Sequence, residues 1–199
     1  GADTCLSFDE IDLALIEEAK VFHFGTLSLT DEPARSATYK CVEYAKKAGK
    51  LITYDPNLRK PLWSDLEEAK RQLLWGLSQA DVVKISDEEV EFLFGLNAVE
   101  GARHILEHYG VELVFVTCGA NGCVFKNEIA EGHVPSLKNI KVMDTTGAGD
   151  IFGGSAVWKL LTYGIGPKEL NQTELMDIVT FACTSAGLST TKPGGISSV

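Results

Sequence analysis

The sequence predicts an α/β fold of the doubly wound kind, a mainly parallel sheet with helices on both faces. Four short runs carry that reading: Val21–Phe24, Leu51–Tyr54, Val82–Ile85 and Leu113–Val116. Each is largely apolar rather than alternating, as expected of strands covered on both sides. Between them lie polar stretches of helical length with start and stop signals, so strand and helix alternate along the chain.

The elements follow in order. Ser7 and Glu10 form a capping box that opens a helix through about Lys20, before the first strand. A helix from about Glu32 ends in Lys46-Lys47-Ala48-Gly49, basic in its last turn with glycine as the stop. Asp55-Pro56-Asn57 breaks the second strand. Ser64 and Glu67 open a helix to about Leu77, and Ser86 and Glu89 open a short one that stops at Gly95. Residues from about Ala98 to Tyr109 are helical, with Gly110 as the stop. After Thr117 the pattern changes. Gly119-Ala120-Asn121-Gly122 is a turn, with short antiparallel strands at Cys123–Lys126 and Ile129–Val134. Helices at about Gly149–Tyr163 and Thr173–Leu188 complete the chain. No repeat or linker divides it, so residues 1–199 read as a single domain.

Composition narrows the function. Of 199 residues 45% are hydrophobic and 23% charged, as in a folded globular chain. Lys+Arg 18 against Asp+Glu 28 leaves a net charge of -10, which argues against nucleic acid and anionic membranes as partners. It leaves room for a small anion held by backbone amides. No apolar run reaches the roughly 20 residues of a membrane span, and Gly1-Ala2-Asp3-Thr4 offers no basic leader, so the expected location is cytoplasmic. The five cysteines, Cys5, Cys41, Cys118, Cys123 and Cys183, include no CxxC pair and read as reduced packing residues. His104 and His108 lie one helical turn apart, but without the HExxH glutamate they read as a solvated helix face.

One segment carries chemistry: Asp144-Thr145-Thr146-Gly147-Ala148-Gly149-Asp150-Ile151-Phe152-Gly153-Gly154. Strand-like Lys141-Val142-Met143 enters it and a helical stretch leaves it. Small residues at 147–149 let a ligand approach amides at the positive end of a helix dipole, which makes an anion site. Asp150 sits in that first turn. A carboxylate repels an anion at rest, which makes sense where it must take a proton from a hydroxyl attacking a phosphate. The competing structural reading is an Asp favoured by the dipole, with glycines for packing. Other phosphate motifs fail on spacing: no GxxxxGK[ST] occurs, and Gly147-Ala148-Gly149 with Gly153 is one residue too long for GxGxxG. A nicotinamide oxidoreductase is thereby disfavoured.

The 144–152 segment closely resembles the C-terminal motif of the ribokinase-like (PfkB) carbohydrate kinases. Further elements occur in that family's order: Asp55-Pro56-Asn57-Leu58-Arg59, Lys84-Ile85-Ser86-Asp87-Glu88-Glu89, Thr117-Cys118-Gly119-Ala120-Asn121-Gly122 and Lys192-Pro193-Gly194-Gly195. Phe22–Leu29 and the Asp-Pro-Asn-Leu-Arg string look most like the family's fructokinase branch. The resemblance implies Asp150 as catalytic base and Gly147, Ala148 and Gly149 as the anion hole. Glu89 falls on the Glu of the family's Asn-x-x-Glu element, which organises magnesium through water, with Ser86 standing where the motif has Asn. Glu89 also completes a capping box whatever else it does. Thr117, Gly119 and Gly122 match the turn lining the nucleotide site. Asp144, Thr146, Ser189, Gly194 and Ser198 match positions that hold a monovalent cation in many relatives, and carbonyl and hydroxyl oxygens suit such a hard ion; a capped turn is the competing reading. Asn57 and Arg59 lie just beyond a strand end, where α/β sheets bind ligands, and are the substrate-side candidates; Arg59 could equally pair with Asp65 or another surface acid.

The expectation is an ATP-dependent sugar kinase with sugar and ATP as small-molecule partners, Mg²⁺ and K⁺ as ions, and fructose phosphorylated at its 6-hydroxyl. Rival readings are a non-catalytic nucleotide-binding module, or a relative acting on ribose or 2-keto-3-deoxygluconate. The family's N-terminal lid portion, through which a homodimer would form, has no counterpart here. The chain reads as the C-terminal two-thirds of such an enzyme, inactive by itself.

Overall fold

The computed structural model describes residues 2–195. It divides into two compact units, one running to Ile85 and including Glu107–Val111, the other comprising Ser86–Leu106 and the chain from Glu112 onward.

In the first unit the apolar runs become parallel strands, β1 (Val21–Gly25), β2 (Leu51–Asp55) and β3 (Val82–Ser86). Phe22 lies opposite Ile52, and Tyr54 opposite Val83. Helices α1 (Leu13–Glu18), α2 (Ala34–Lys47) and α3 (Leu66–Gln79) alternate with them. Each longer helix turns an apolar stripe inward: Ala37, Cys41 and Ala45 from α2, Leu73 and Leu77 from α3. Tyr54 is buried beneath α3, where Gly76 makes room; a Cβ there would lie 2.2 Å from the ring. The Tyr54 ring stacks on Phe24 at 4.7 Å, and Trp75 closes the cluster edge-on to Phe24 at 5.8 Å.

In the second unit α4 (Asp87–Phe94) and most of α5 (Ala98–Tyr109) precede β4 (Leu113–Thr117), β5 (Cys123–Asn127) and β6 (Glu131–Val134). These strands form an antiparallel meander, Phe115 opposite Phe125 and Val124 opposite His133. Helices α6 (Ala148–Leu161) and α7 (Gln172–Ser189) pack together, with Phe152 meeting Phe115 edge-on at 6.0 Å. Asn127 is fully buried and fully used. Its amide donates to the carbonyls of Pro167 and Leu170, and its Oδ1 accepts from Ile129 and Ala130 N–H.

Three local expectations need correction. The Ser7 capping box closes only a 3₁₀ turn, Phe8–Glu10; Asp12 then starts α1 afresh by accepting from Ala14 N–H at 3.0 Å. The start of α3 is capped by Asp65, which accepts from Glu67 N–H at 2.9 Å, and not by Ser64. Residues 141–143 form no strand, because the Met143 and Asp144 amides donate to the Thr190 carbonyl at the end of α7.

Candidate phosphate-transfer site

The second unit builds the site around the start of α6. Gly147 is its N-cap, at φ 77°, a left-handed conformation open to glycine. A Cβ there would also stand 3.1 Å from the Gly195 Cα, so a side chain is strained on two counts. Ala148, Gly149 and Asp150 are the first three helical residues, whose amides have no carbonyl four residues back within the helix. The Ala148 amide closes the turn onto the Thr145 carbonyl at 3.2 Å, while Ile151 makes the first helical bond, to Gly147. The Gly149 and Asp150 amides therefore stand at the positive end of the dipole. The Asp150 carboxylate is solvent-exposed on the same turn, and no side-chain hydrogen bond holds it among the described residues.

Asp144 anchors the approach to this turn. Its Oδ1 accepts from the Thr146 amide at 2.9 Å and hydroxyl at 2.7 Å, and its Oδ2 accepts from the Gly194 amide at 2.8 Å. These bonds, led by the Thr146 hydroxyl, pull its pKa down to about 2. Asp144, Thr146 and Gly194 are thus brought together as expected. Ser189, next to the Thr190 carbonyl that holds Asp144, is buried and donates its hydroxyl to the Ala186 carbonyl at 2.8 Å. Ser198 lies outside the described residues. One carboxylate among hydroxyl and carbonyl oxygens fits a monovalent cation better than a divalent one. Among the described residues no group of three or more His, Cys, Asp or Glu could hold a metal.

Ser86 ends β3 and caps α4, with its hydroxyl accepting from the Glu89 amide at 3.2 Å. In return Glu89 Oε2 accepts from the Ser86 amide at 2.9 Å and hydroxyl at 3.0 Å. The capping reading of Glu89 is what the structure shows, and the cap holds its carboxylate buried and fixed in direction. A single oriented carboxylate fits a magnesium ion that keeps most of its waters and leans on substrate phosphates.

The turn after β4 is equally constrained. Thr117 ends the strand; Gly119 and Gly122 take φ of 51° and 95°. A Cβ on Gly122 would fall 2.0 Å from the Val134 carbonyl oxygen. The Cys118 amide closes the turn by donating to the Gly122 carbonyl at 2.7 Å. His133 and Ser136 bind the Asn121 and Ala120 carbonyls, fixing the turn from the β6 side.

In the first unit, Asn57 takes φ 46° in the loop after β2, and the exposed Arg59 follows it. Asp65 pairs with Arg71 at 3.7 Å rather than with Arg59. A charged pair not singled out from sequence supports this loop: Lys84 Nζ reaches Asp55 Oδ2 at 2.8 Å, both side chains largely buried. Its signal was present as a lysine inside an otherwise apolar strand, Val82-Val83-Lys84-Ile85. Gly25 lets β1 approach the Asp55 carbonyl, 3.0 Å from where a Cβ would sit, and the Thr26 amide donates to the Pro56 carbonyl.

A glycine-opened helix with an acidic first turn, clamped by a distant loop, is an arrangement that suits an α/β protein acting on a small anion. The comparisons agree with that class and narrow it. The family model described as pfkB family carbohydrate kinase matches residues 1–199, and the chain belongs to that family. Fructokinase-2 of Solanum lycopersicum is 42% identical over 98% of this chain, and fructokinase-1 of Zea mays 41% over 100%. The chain spans 59% and 61% of those proteins, about three-fifths of their length. Fructokinase from Vibrio cholerae O395, solved with fructose, ADP and calcium, superposes with a TM-score of 0.84 at 30% identity, covering 100% of this chain and 62% of that one. Aminoimidazole riboside kinase from Salmonella enterica gives a TM-score of 0.82 at 26% identity, with 100% and 64% covered. The fold is therefore ribokinase-like, as the motifs implied.

Proposed function

We propose that this chain is the nucleotide-binding and catalytic portion of an ATP-dependent sugar kinase that transfers the γ-phosphate to the 6-hydroxyl of fructose. The observation that carries this reading is the start of α6, where an exposed Asp150 shares its turn with the Gly149 amide, which has no carbonyl partner among the described residues. Asp150 takes the proton of the attacking hydroxyl as its oxygen closes in line on phosphorus. The anion hole is the 147–149 backbone, with the Gly149 amide contributing most directly because that of Ala148 is engaged by Thr145. Thr117, Gly119 and Gly122 line the nucleotide. Glu89 is the residue that would hold a magnesium ion through water, and that ion would supply positive charge to the phosphates. Asp144, Thr146, Ser189, Gly194 and Ser198 are the residues that would hold a monovalent cation, K⁺ in this reading, whose charge suits their hydroxyl and carbonyl oxygens. Asn57 and Arg59 serve the substrate, Arg59 as a guanidinium matched to phosphate or sugar oxygens.

Fructose is favoured because the relatives above include fructokinases at about 40% identity, and one such enzyme was solved with fructose bound. Magnesium, a cytoplasmic location and a homodimer formed through the lid portion belong to the same reading. So do residues 1–199 acting as a single catalytic piece. No helix among the described residues is long and apolar enough to cross a membrane. A coupled ADP-release assay on the full-length protein over fructose, ribose and 2-keto-3-deoxygluconate tests the reading. Fructose should give the highest kcat/KM; a clear preference for ribose contradicts it.

A further inference from the structure

The turn after β4 holds two glycines at positive φ, Gly119 and Gly122, the backbone with most freedom to lose when it is fixed. Its own bonds close it on itself: Cys118 N–H to the Gly122 carbonyl, Asn121 N–H to Cys118 and Gly122 N–H to Gly119. The carbonyls of Ala120 and Asn121 take no part in that closure. Each instead accepts from a side chain at the end of β6. His133 Nε2 donates to the Asn121 carbonyl at 2.7 Å, and Ser136 Oγ donates to the Ala120 carbonyl at 2.5 Å. A carbonyl can only accept, so Nε2 carries a proton, and the bond survives whether the ring is neutral or charged.

Both bonds lie at the surface, where water would satisfy the same two carbonyls. Two exposed donors from one stretch, converging on successive carbonyls, add little to global stability. What they fix is the direction of the turn. The strand that carries them is itself held at a second point. Glu131, two residues before His133, accepts both arms of the Arg103 guanidinium from α5, at 2.6 and 3.1 Å, and Lys126 Nζ from β5 at 3.2 Å. His133 is therefore delivered from a strand tied to both neighbours.

We propose that His133 and Ser136 are positioning residues for the nucleotide, which set ATP affinity by holding the 117–122 turn in its binding geometry. The proposal rests on the reading above, in which Thr117, Gly119 and Gly122 line the nucleotide. A turn ordered beforehand loses less freedom when its ligand arrives, so removing the two bonds weakens binding. The transfer step is spared, because Asp150 and the 147–149 backbone belong to the start of α6, a different element. The effect therefore falls on ATP alone, and not on the sugar or the chemistry.

The test compares the full-length wild type with His133→Ala/Ser136→Ala and with His133→Gln, whose side-chain amide offers a donor in place of Nε2. The double variant should raise the Kd of a non-hydrolysable ATP analogue and the KM for ATP about 3–10-fold, as expected for one or two hydrogen bonds. Its kcat and its KM for fructose should stay within about two-fold, and its melting temperature should hold. His133→Gln should stay near wild-type ATP affinity. Amide exchange of the wild type, with and without the analogue, checks the reading beneath the proposal. Nucleotide should slow exchange across residues 119–122. If it does not, the turn lies outside the nucleotide site, and both reading and proposal fall. If it does, but the double variant binds the analogue as tightly as wild type, the proposal alone is overturned. It is overturned equally if kcat, both KM values and melting temperature decline together, or if His133→Gln binds ATP no better than His133→Ala.

Discussion

Asp144 and Gly194, fifty residues apart in sequence, are joined by a 2.8 Å bond from the Gly194 amide to the Asp144 carboxylate. That bond sets the C-terminal loop against the entrance to α6, where a Cβ on Gly147 would stand 3.1 Å from the Gly195 Cα, a tight contact. Helix packing alone does not place the turn that opens α6. A carboxylate ties it to a loop that follows the last helix.

Replacing Asp144 should therefore loosen the 144–147 turn while leaving both helices formed. Because its folded pKa is depressed to about 2 from 3.8, its contribution is fully present above pH 4 and fades as pH falls through about 2. Amide exchange at Gly194 should be slow at pH 6 and accelerate in Asp144→Ala. Unchanged exchange in that variant would show that the clamp does not form.

Gly122→Ala should be among the most damaging small substitutions in the second unit. The new methyl group meets the Val134 carbonyl at 2.0 Å, at a φ of 95° that L-residues rarely adopt. A loss of about 3 kcal/mol or more is expected, measured by urea unfolding. Gly49→Ala, with a similarly positive φ but open space, should cost far less.

The two roles of Glu89 separate by substitution. Gln retains the acceptor that a capping box needs, so Glu89→Gln should preserve the melting temperature. Ser86→Ala removes the cap and should cost about 1 kcal/mol. If Glu89 also orients magnesium waters, Glu89→Gln in the full-length kinase should raise the Mg²⁺ concentration needed for half-maximal rate. Wild-type magnesium dependence in that variant would leave Glu89 as a cap alone.

Cysteine reactivity should follow burial. Cys5 is exposed, while Cys41, Cys123 and Cys183 are buried. Burial pushes the Cys183 thiol up to about 11, leaving a thiolate fraction on the order of 10⁻³ at pH 8. A chromogenic disulfide reagent at that pH should label Cys5 first and Cys183 last, with unfolding releasing the buried thiols. Early labelling of Cys183 would contradict the packing around α7.

Much of this was legible beforehand because the chain punctuates itself locally. The strand runs stand where apolar residues cluster, and the Ser86–Glu89 and Gly147–Asp150 elements depend on spacings of three residues, which sequence displays directly. What escaped depends on distant partners. Lys141-Val142-Met143 has strand-like composition, but its backbone bonds go to Thr190, nearly fifty residues on. The Asp55–Lys84 pair joins two strands, and neither residue announces its partner. Ser64 and Asp65 are both good caps, and only the observed geometry chooses Asp65.

Asp150→Asn in the full-length protein tests the central claim most directly. Asparagine keeps the shape and much of the polarity of the first helical turn, so fold and ATP affinity should persist while proton removal fails. The account predicts that kcat with fructose falls by about 10²–10⁴-fold, with ATP Kd and melting temperature nearly unchanged. A variant that keeps more than half of the wild-type kcat would show that Asp150 is not the base.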